Sequence, residues 1–235
     1  MDFLRMFDHN AKIPAFISKH QKLFDMLLTI CCCIVMPVVS AVIATRGEER
    51  AIYKSLSYLA YTEGHMAIVY IWGLCFFAVF FFALTLILNT GCYSKAWKAV
   101  FLVFASISAV IMLAGISVPW LHVDGENAPK YDMLRKVHNI VSSLGFVLVF
   151  LTTAFLFLST FARNTKQGVF SLGAVIYLLI TAIVSMKEAN IVPGPCGVSS
   201  IAQIYICCSI LFLMLLQYVF MRVMPNERLL NEKRA

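Results

Sequence analysis

Residues 66–88 read MAIVYIWGLCFFAVFFFALTLIL, without one Asp, Glu, Lys or Arg. A helix rises about 1.5 Å per residue, so about 20 apolar residues cover the hydrocarbon core of a bilayer. Five further stretches are of similar length and equally apolar apart from Asp25: Phe24–Ala44, Ala99–Val118, His138–Phe161, Val169–Met186 and Ile201–Met221. Within lipid each backbone amide must find its partner inside its own segment, so each stretch reads as a helix. The chain is therefore expected to be an all-α, polytopic membrane protein. Its fold is a bundle of six transmembrane helices, and residues 1–235 form a single integral membrane domain.

Composition agrees. Hydrophobic residues make up 61% of the 235 and charged residues 13%, against about 25% charged in an ordinary soluble domain. A soluble chain of this length could bury a large core, but it could not cover its surface with so few charges. Six spans and their connections also leave no room for a folded soluble domain.

The net charge of +7 raises the question of nucleic acid, and its distribution answers against it. With the N-terminus placed in the cytoplasm, twelve Lys and Arg fall on inner segments and seven on outer ones, where seven acids match them. The whole excess then lies on one face, as the positive-inside rule expects. Both termini are expected to be cytoplasmic, with basic ends that meet anionic lipid headgroups. Membrane lipids are the expected partners, together with a second copy or another membrane protein.

The first stretch is too long and too far from Met1 for a secretory leader, and reads as a retained span. Ahead of it, Phe3, Leu4, Met6, Phe7, Ile13, Phe16 and Ile17 alternate with charges, a pattern for the inner membrane surface. Pro14 interrupts any single helix there. Pro37 is expected to kink the first span. Of eight cysteines, only Cys196 is clearly outside, so no disulfide framework is implied. Cys31, Cys32 and Cys33 point about 100° apart on a helix and cannot chelate one ion together without partners from other helices.

The inner connections 89–98 and 162–168 are short, making spans two and three, and four and five, antiparallel neighbours. The outer ones are richer. Ile52, Tyr53, Leu56, Leu59 and Ala60 fall at helical spacing and predict a short interfacial helix. Pro119, Gly125 and Pro129 predict turns over 119–137, and Pro193 to Gly197 a non-helical cap. Gly73, Gly115, Gly145 and Gly173 read as close-packing positions between helices.

Inside the membrane the chain is nearly free of charge. Asp25, near the inner end of the first span, is expected to be balanced by Lys22. Carriers and pumps keep ionisable groups at mid-membrane, so a transporter or channel is the least supported class.

Polar groups gather instead at the outer boundary. Glu63 and His65 precede the second span, His122 follows the third, His138 and Asn139 open the fourth, Glu188 closes the fifth and Gln203 opens the sixth. His138 and Ser142 share a helical face. Such a layer has three readings. It is the ordinary polarity of helix ends, or a pocket for a lipid headgroup or small ligand, or a metal or haem site built on His65, His122 and His138. No motif of metal-site or nucleophile-elbow type is present, and no cofactor is predicted. The expected role is membrane organisation or binding of a lipid or small ligand, without covalent chemistry. The alternative is an intramembrane enzyme or metalloprotein using the outer histidines.

Three segments carry a family resemblance: Ser55-Leu56-Ser57-Tyr58, Gly115-Ile116-Ser117-Val118-Pro119, and Val137-His138-Asn139-Ile140-Val141-Ser142-Ser143-Leu144-Gly145-Phe146. Over roughly residues 20–222 the chain resembles the DRAM-like six-helix membrane proteins and their bacterial relatives. It departs from them in having no Asp in the first outer element. The resemblance implies six helices with cytoplasmic termini and transfers no catalytic activity.

Overall fold

The computed structural model describes residues 6–7, 13–45, 55–62, 64–120, 128–191 and 200–224, with the backbone alone for 128, 185–191 and 200. Among the described residues there is no strand, and six helices are long and apolar enough to cross a membrane. These are Gln21–Ala44, Met66–Thr90, Lys95–Ser117, Pro129–Ala162, Thr165–Val184 and Ile201–Val223, the first to sixth spans. The protein is an all-α, multi-pass membrane bundle. One end carries the short helix Leu56–Tyr61 and is termed the capped end. The other, the tail end, carries the start of the first span and the finish of the sixth.

Two boundaries depart from expectation. The fourth helix starts at Ala128, where turns were predicted. Pro129 lies in its first turn, where a missing N–H costs no intrahelical bond and the fixed φ suits the helix. The fifth helix continues to Ile191, past Lys187 and Glu188. Ile52, Tyr53, Gly125 and 192–199 lie outside the described residues.

Pro37 is accommodated by a change of hydrogen-bond register. Its ring would clash with the carbonyl four residues back. The preceding turn, Cys31–Val35, is π-helical, and the Met36 N–H bonds back to the Cys31 carbonyl. Such π turns are a standard way to absorb a break in the helical ladder. Within this turn Cys32 is buried and Cys33 exposed, so the three cysteines do diverge.

Lipid supplies no hydrophobic drive between helices, so the bundle relies on close van der Waals packing. Spans three and four show it best. A methyl group on Gly145 would come within 2.8 Å of the Met112 backbone, and one on Gly115 within 2.5 Å of Ser142 Oγ. Gly73 packs on Leu113 and Ile116, whereas Gly173 faces open space and is not a packing position. The second span is the most buried and lies against the third and sixth. Its Trp72, Phe76 and Phe80, four residues apart, stack with centroids about 6 Å apart.

At the tail end the second and third spans are joined through Gly91 and Cys92, the latter left-handed at φ 57°. The Ser94 N–H donates to the Met6 carbonyl at 2.9 Å, and the Phe7 ring lies 4.7 Å from that of Tyr93. Met6 and Phe7 are thus buried in the bundle's end, not laid on a membrane surface. Pro14, extended at ψ 133°, is the N-cap of the helix Ala15–Lys19, so no helix runs through it. Asp25 accepts hydrogen bonds from the Tyr218 hydroxyl, at 2.7 Å, and from Arg222. Its partners come from the sixth span, and Lys22 is not one of them.

Candidate functional site

Ser55 starts the short helix by accepting the Tyr58 N–H on its hydroxyl at 3.2 Å, an N-cap of the usual kind. The Leu56 N–H, another donor orphaned at the helix start, is taken by Gln203 Oε1 of the sixth span at 3.1 Å. Leu56, Leu59 and Ala60 are buried, so one face of the helix is pressed onto the bundle.

Beneath it lies a cavity of about 200 Å³. Its apolar wall comes from Trp72, Met112, Ile116, Phe146 and Ile206, and its polar part from Ser57, His138, Ser142, Ser143 and Gln203. Ser143 and Val147 line the cavity and are also exposed, so that wall faces outward beside the fifth span's Ala182. Trp72 is fixed from behind by donating its indole N–H to Ser40 Oγ at 2.8 Å.

His138 is the organising residue. It is 3% exposed and both ring nitrogens are engaged. Nδ1 lies 2.8 Å from the Val118 carbonyl oxygen. A carbonyl can only accept, so Nδ1 carries a proton, and in the neutral ring Nε2 is the acceptor. Ser57 Oγ, 2.6 Å from Nε2, is then the donor. Ser142 Oγ lies on the same side at 3.5 Å. The Tyr61 ring stands perpendicular to the imidazole, 6.3 Å between centroids. Its hydroxyl donates to the Ile116 carbonyl, and burial raises the phenol above its ordinary pKa.

Comparison with protein-family models, with curated proteins and with solved structures gives no match to this chain. The site must therefore be read from its own geometry.

Of the residues expected to form a polar layer, the cavity brings together His138 and Gln203. Asn139 is exposed and does not line it, and His65, at the cap of the second span, does not reach it either. Glu63 and His122 lie outside the described residues, and of Glu188 only the backbone is described. Among the described residues no three His, Cys, Asp or Glu converge as a ligand set. A metal at His138 would have to displace Ser57 or the Val118 carbonyl. The sequence reading missed Ser57, Tyr61 and Trp72 as site residues. Ser57 shares with His138 no spacing that a single chain could reveal.

A second polar cluster, not foreseen, lies at the tail end. Arg163 Nη2 donates to the Met221 carbonyl at 2.7 Å and to that of Met224 at 3.4 Å, closing the last turn of the sixth span. Ser171 links Thr160 to Gln217 Oε1 through two bonds of 2.9 Å. Arg163 Nε and Nη1, both polar atoms of the Gln167 side chain and Gln217 Nε2 are buried without a partner. Burial draws the Arg163 pKa below its ordinary value.

Proposed function

We propose that the protein binds an amphipathic membrane lipid or a small molecule of similar character. An apolar part would occupy the cavity, and a polar group would meet Ser57, His138 and Gln203. The observation that carries this reading is the cavity itself: mostly apolar walls and a few polar groups gathered at one end, the pattern of small-molecule sites. At about 200 Å³ it is below the roughly 300–1,000 Å³ of sites that enclose a whole drug-sized ligand. A fitting ligand would therefore be held in part, and the outward-facing wall at Ser143 and Val147 would let the rest lie among neighbouring lipids.

The charge pattern favours an orientation with the capped end outside and both termini in the cytoplasm. The occupant would then come from the outer leaflet. This topology is also what the resemblance to the DRAM-like proteins implies. Neither argument supplies a metal or a cofactor, and the engaged nitrogens of His138 weigh against one.

The test is lipid analysis of the protein purified in mild detergent, by native mass spectrometry and extraction, beside Ala182→Trp. The Trp side chain would fill the outward-facing wall. A co-purifying amphiphile in near-stoichiometric amount, lost from the variant, is the expected result. Equal, low and heterogeneous lipid in both proteins would defeat the reading.

A further inference from the structure

We propose that Ser57 and His138 form a catalytic dyad that cleaves the acyl ester of an amphipathic substrate held in this cavity. The proposal rests on the binding reading above and assigns a reaction to the same site. Three observations meet here. Ser57 Oγ lies 2.6 Å from His138 Nε2, within the 2.6–3.2 Å typical of a nucleophile and its general base. The Val118 carbonyl, 2.8 Å from Nδ1, holds the imidazole in the tautomer whose Nε2 can take a proton. In a serine triad a carboxylate has that orienting task, and the remaining logic is the same. Finally, Ser57 and His138 both face the cavity, so their hydrogen bond is made where a ligand would sit.

The chemistry balances with water as the second reactant. Ser57 Oγ forms a bond to the ester carbonyl carbon while its proton passes to His138 Nε2. The tetrahedral intermediate collapses by breaking the bond to the alcohol oxygen, which leaves with the Nε2 proton. Water then attacks the acyl-Ser57 ester, its proton moving through Nε2 to Ser57 Oγ as the fatty acid departs. Gln203, its Oε1 fixed by the Leu56 N–H, offers its carboxamide N–H to the oxyanion, as side-chain amides do in known oxyanion holes. The apolar walls at Phe146 and Ile206 select an aliphatic acyl chain.

The experiment uses full-length protein in detergent or nanodiscs and a long-chain alkyl fluorophosphonate, with binding of the matching unreactive alkyl phosphonate measured in parallel. Covalent adduct on Ser57, found by peptide mass spectrometry, is expected. Ser57→Ala should abolish it, and His138→Gln should slow it by about 100-fold or more. Ser117→Ala, a serine at the capped end that does not line the cavity, should label as the parent does. The elution profile and circular dichroism of each variant show whether it is folded. Alkyl phosphonate binding without any adduct would overturn the catalytic assignment and leave the pocket standing. Adduct on Ser142 or Ser143 would overturn Ser57 as nucleophile, and absence of both adduct and binding would remove the pocket reading as well.

Discussion

Ser57 and His138, 81 residues apart in the chain, meet at 2.6 Å and tie the short helix to the fourth span. The same imidazole reaches the end of the third span through Val118. One side chain thus fastens three separate elements around the cavity. His138→Phe removes both bonds and strands the Val118 carbonyl, which should cost about 1–3 kcal/mol. Ser57→Ala should cost about 1 kcal/mol. A double-mutant cycle on detergent unfolding should give a coupling of about 0.5–3 kcal/mol; strict additivity would show that the bond contributes nothing.

Gly115→Ala is expected to be among the most damaging small substitutions in the bundle. The added methyl would meet Ser142 Oγ at 2.5 Å and the Ser142 backbone N and Cα at 2.9 and 3.0 Å. Overpacking of this kind costs about 1–3 kcal/mol. Ser142→Ala should not rescue it, because the backbone contacts persist. Gly173→Ala, with nothing within 4 Å, should instead stabilise by about 0.5–1 kcal/mol through helix propensity. Melting temperatures of the purified variants decide both.

At the tail end, Arg163→Lys should be worse than Arg163→Met. Arg163 is 8% exposed, and its guanidinium already leaves Nε and Nη1 unpartnered. Lysine would bury a compact charge with poorer reach to the Met221 and Met224 carbonyls. Methionine would remove the charge altogether, and an apolar replacement of a buried charge is often tolerated. A lower melting temperature for the methionine variant than for the lysine variant would refute this ordering.

Asp25 and Arg222 pair across the first and sixth spans with each side chain about one-third exposed. Solvent screening limits such pairs to about 0–1 kcal/mol. Asp25→Asn should therefore change stability little while keeping an acceptor for the Tyr218 hydroxyl. A loss above about 2 kcal/mol would mean that the pair is shielded from water far more than its exposure indicates.

Tyr93 gives the fold an alkaline limit. Its phenol is fully buried, donates to or accepts from Ser159 Oγ at 2.6 Å, and is pushed above its ordinary pKa by desolvation. The folded value then exceeds the unfolded one, so the folded state binds more protons at high pH. This contribution to stability is complete below about pH 10 and falls as pH rises further. Tyr61 is shifted in the same direction. Tyr93→Phe should flatten the decline of melting temperature above about pH 10, and an unchanged slope would exclude Tyr93 as its source.

Six helices were legible in the sequence because the requirement that fixes them is local. An apolar run such as 66–88 must satisfy its own amides in lipid, whatever surrounds it. The short helix was legible in part, since Leu56, Leu59 and Ala60 already mark one face. Close packing at Gly115 and Gly145 was readable too, because small residues are what allow backbones to approach. Local pattern failed at Ala128, where a proline suited to a helix's first turn was read as a turn former, and at Asp25, whose partner Arg222 lies 197 residues away.

The site belongs to tertiary structure. Sequence marked His138, Ser142 and Gln203 as polar groups near helix ends and placed His65 and Asn139 beside them on equal terms. Only the packing of the short helix onto spans two, three, four and six chose among them, turning His138 inward to Ser57 and Val118 and leaving Asn139, one residue on and about 100° around the helix, exposed. Periodicity determines which face of one helix is apolar. Which side chains from different helices share a cavity depends on how those faces rotate and cross, and no single segment encodes that.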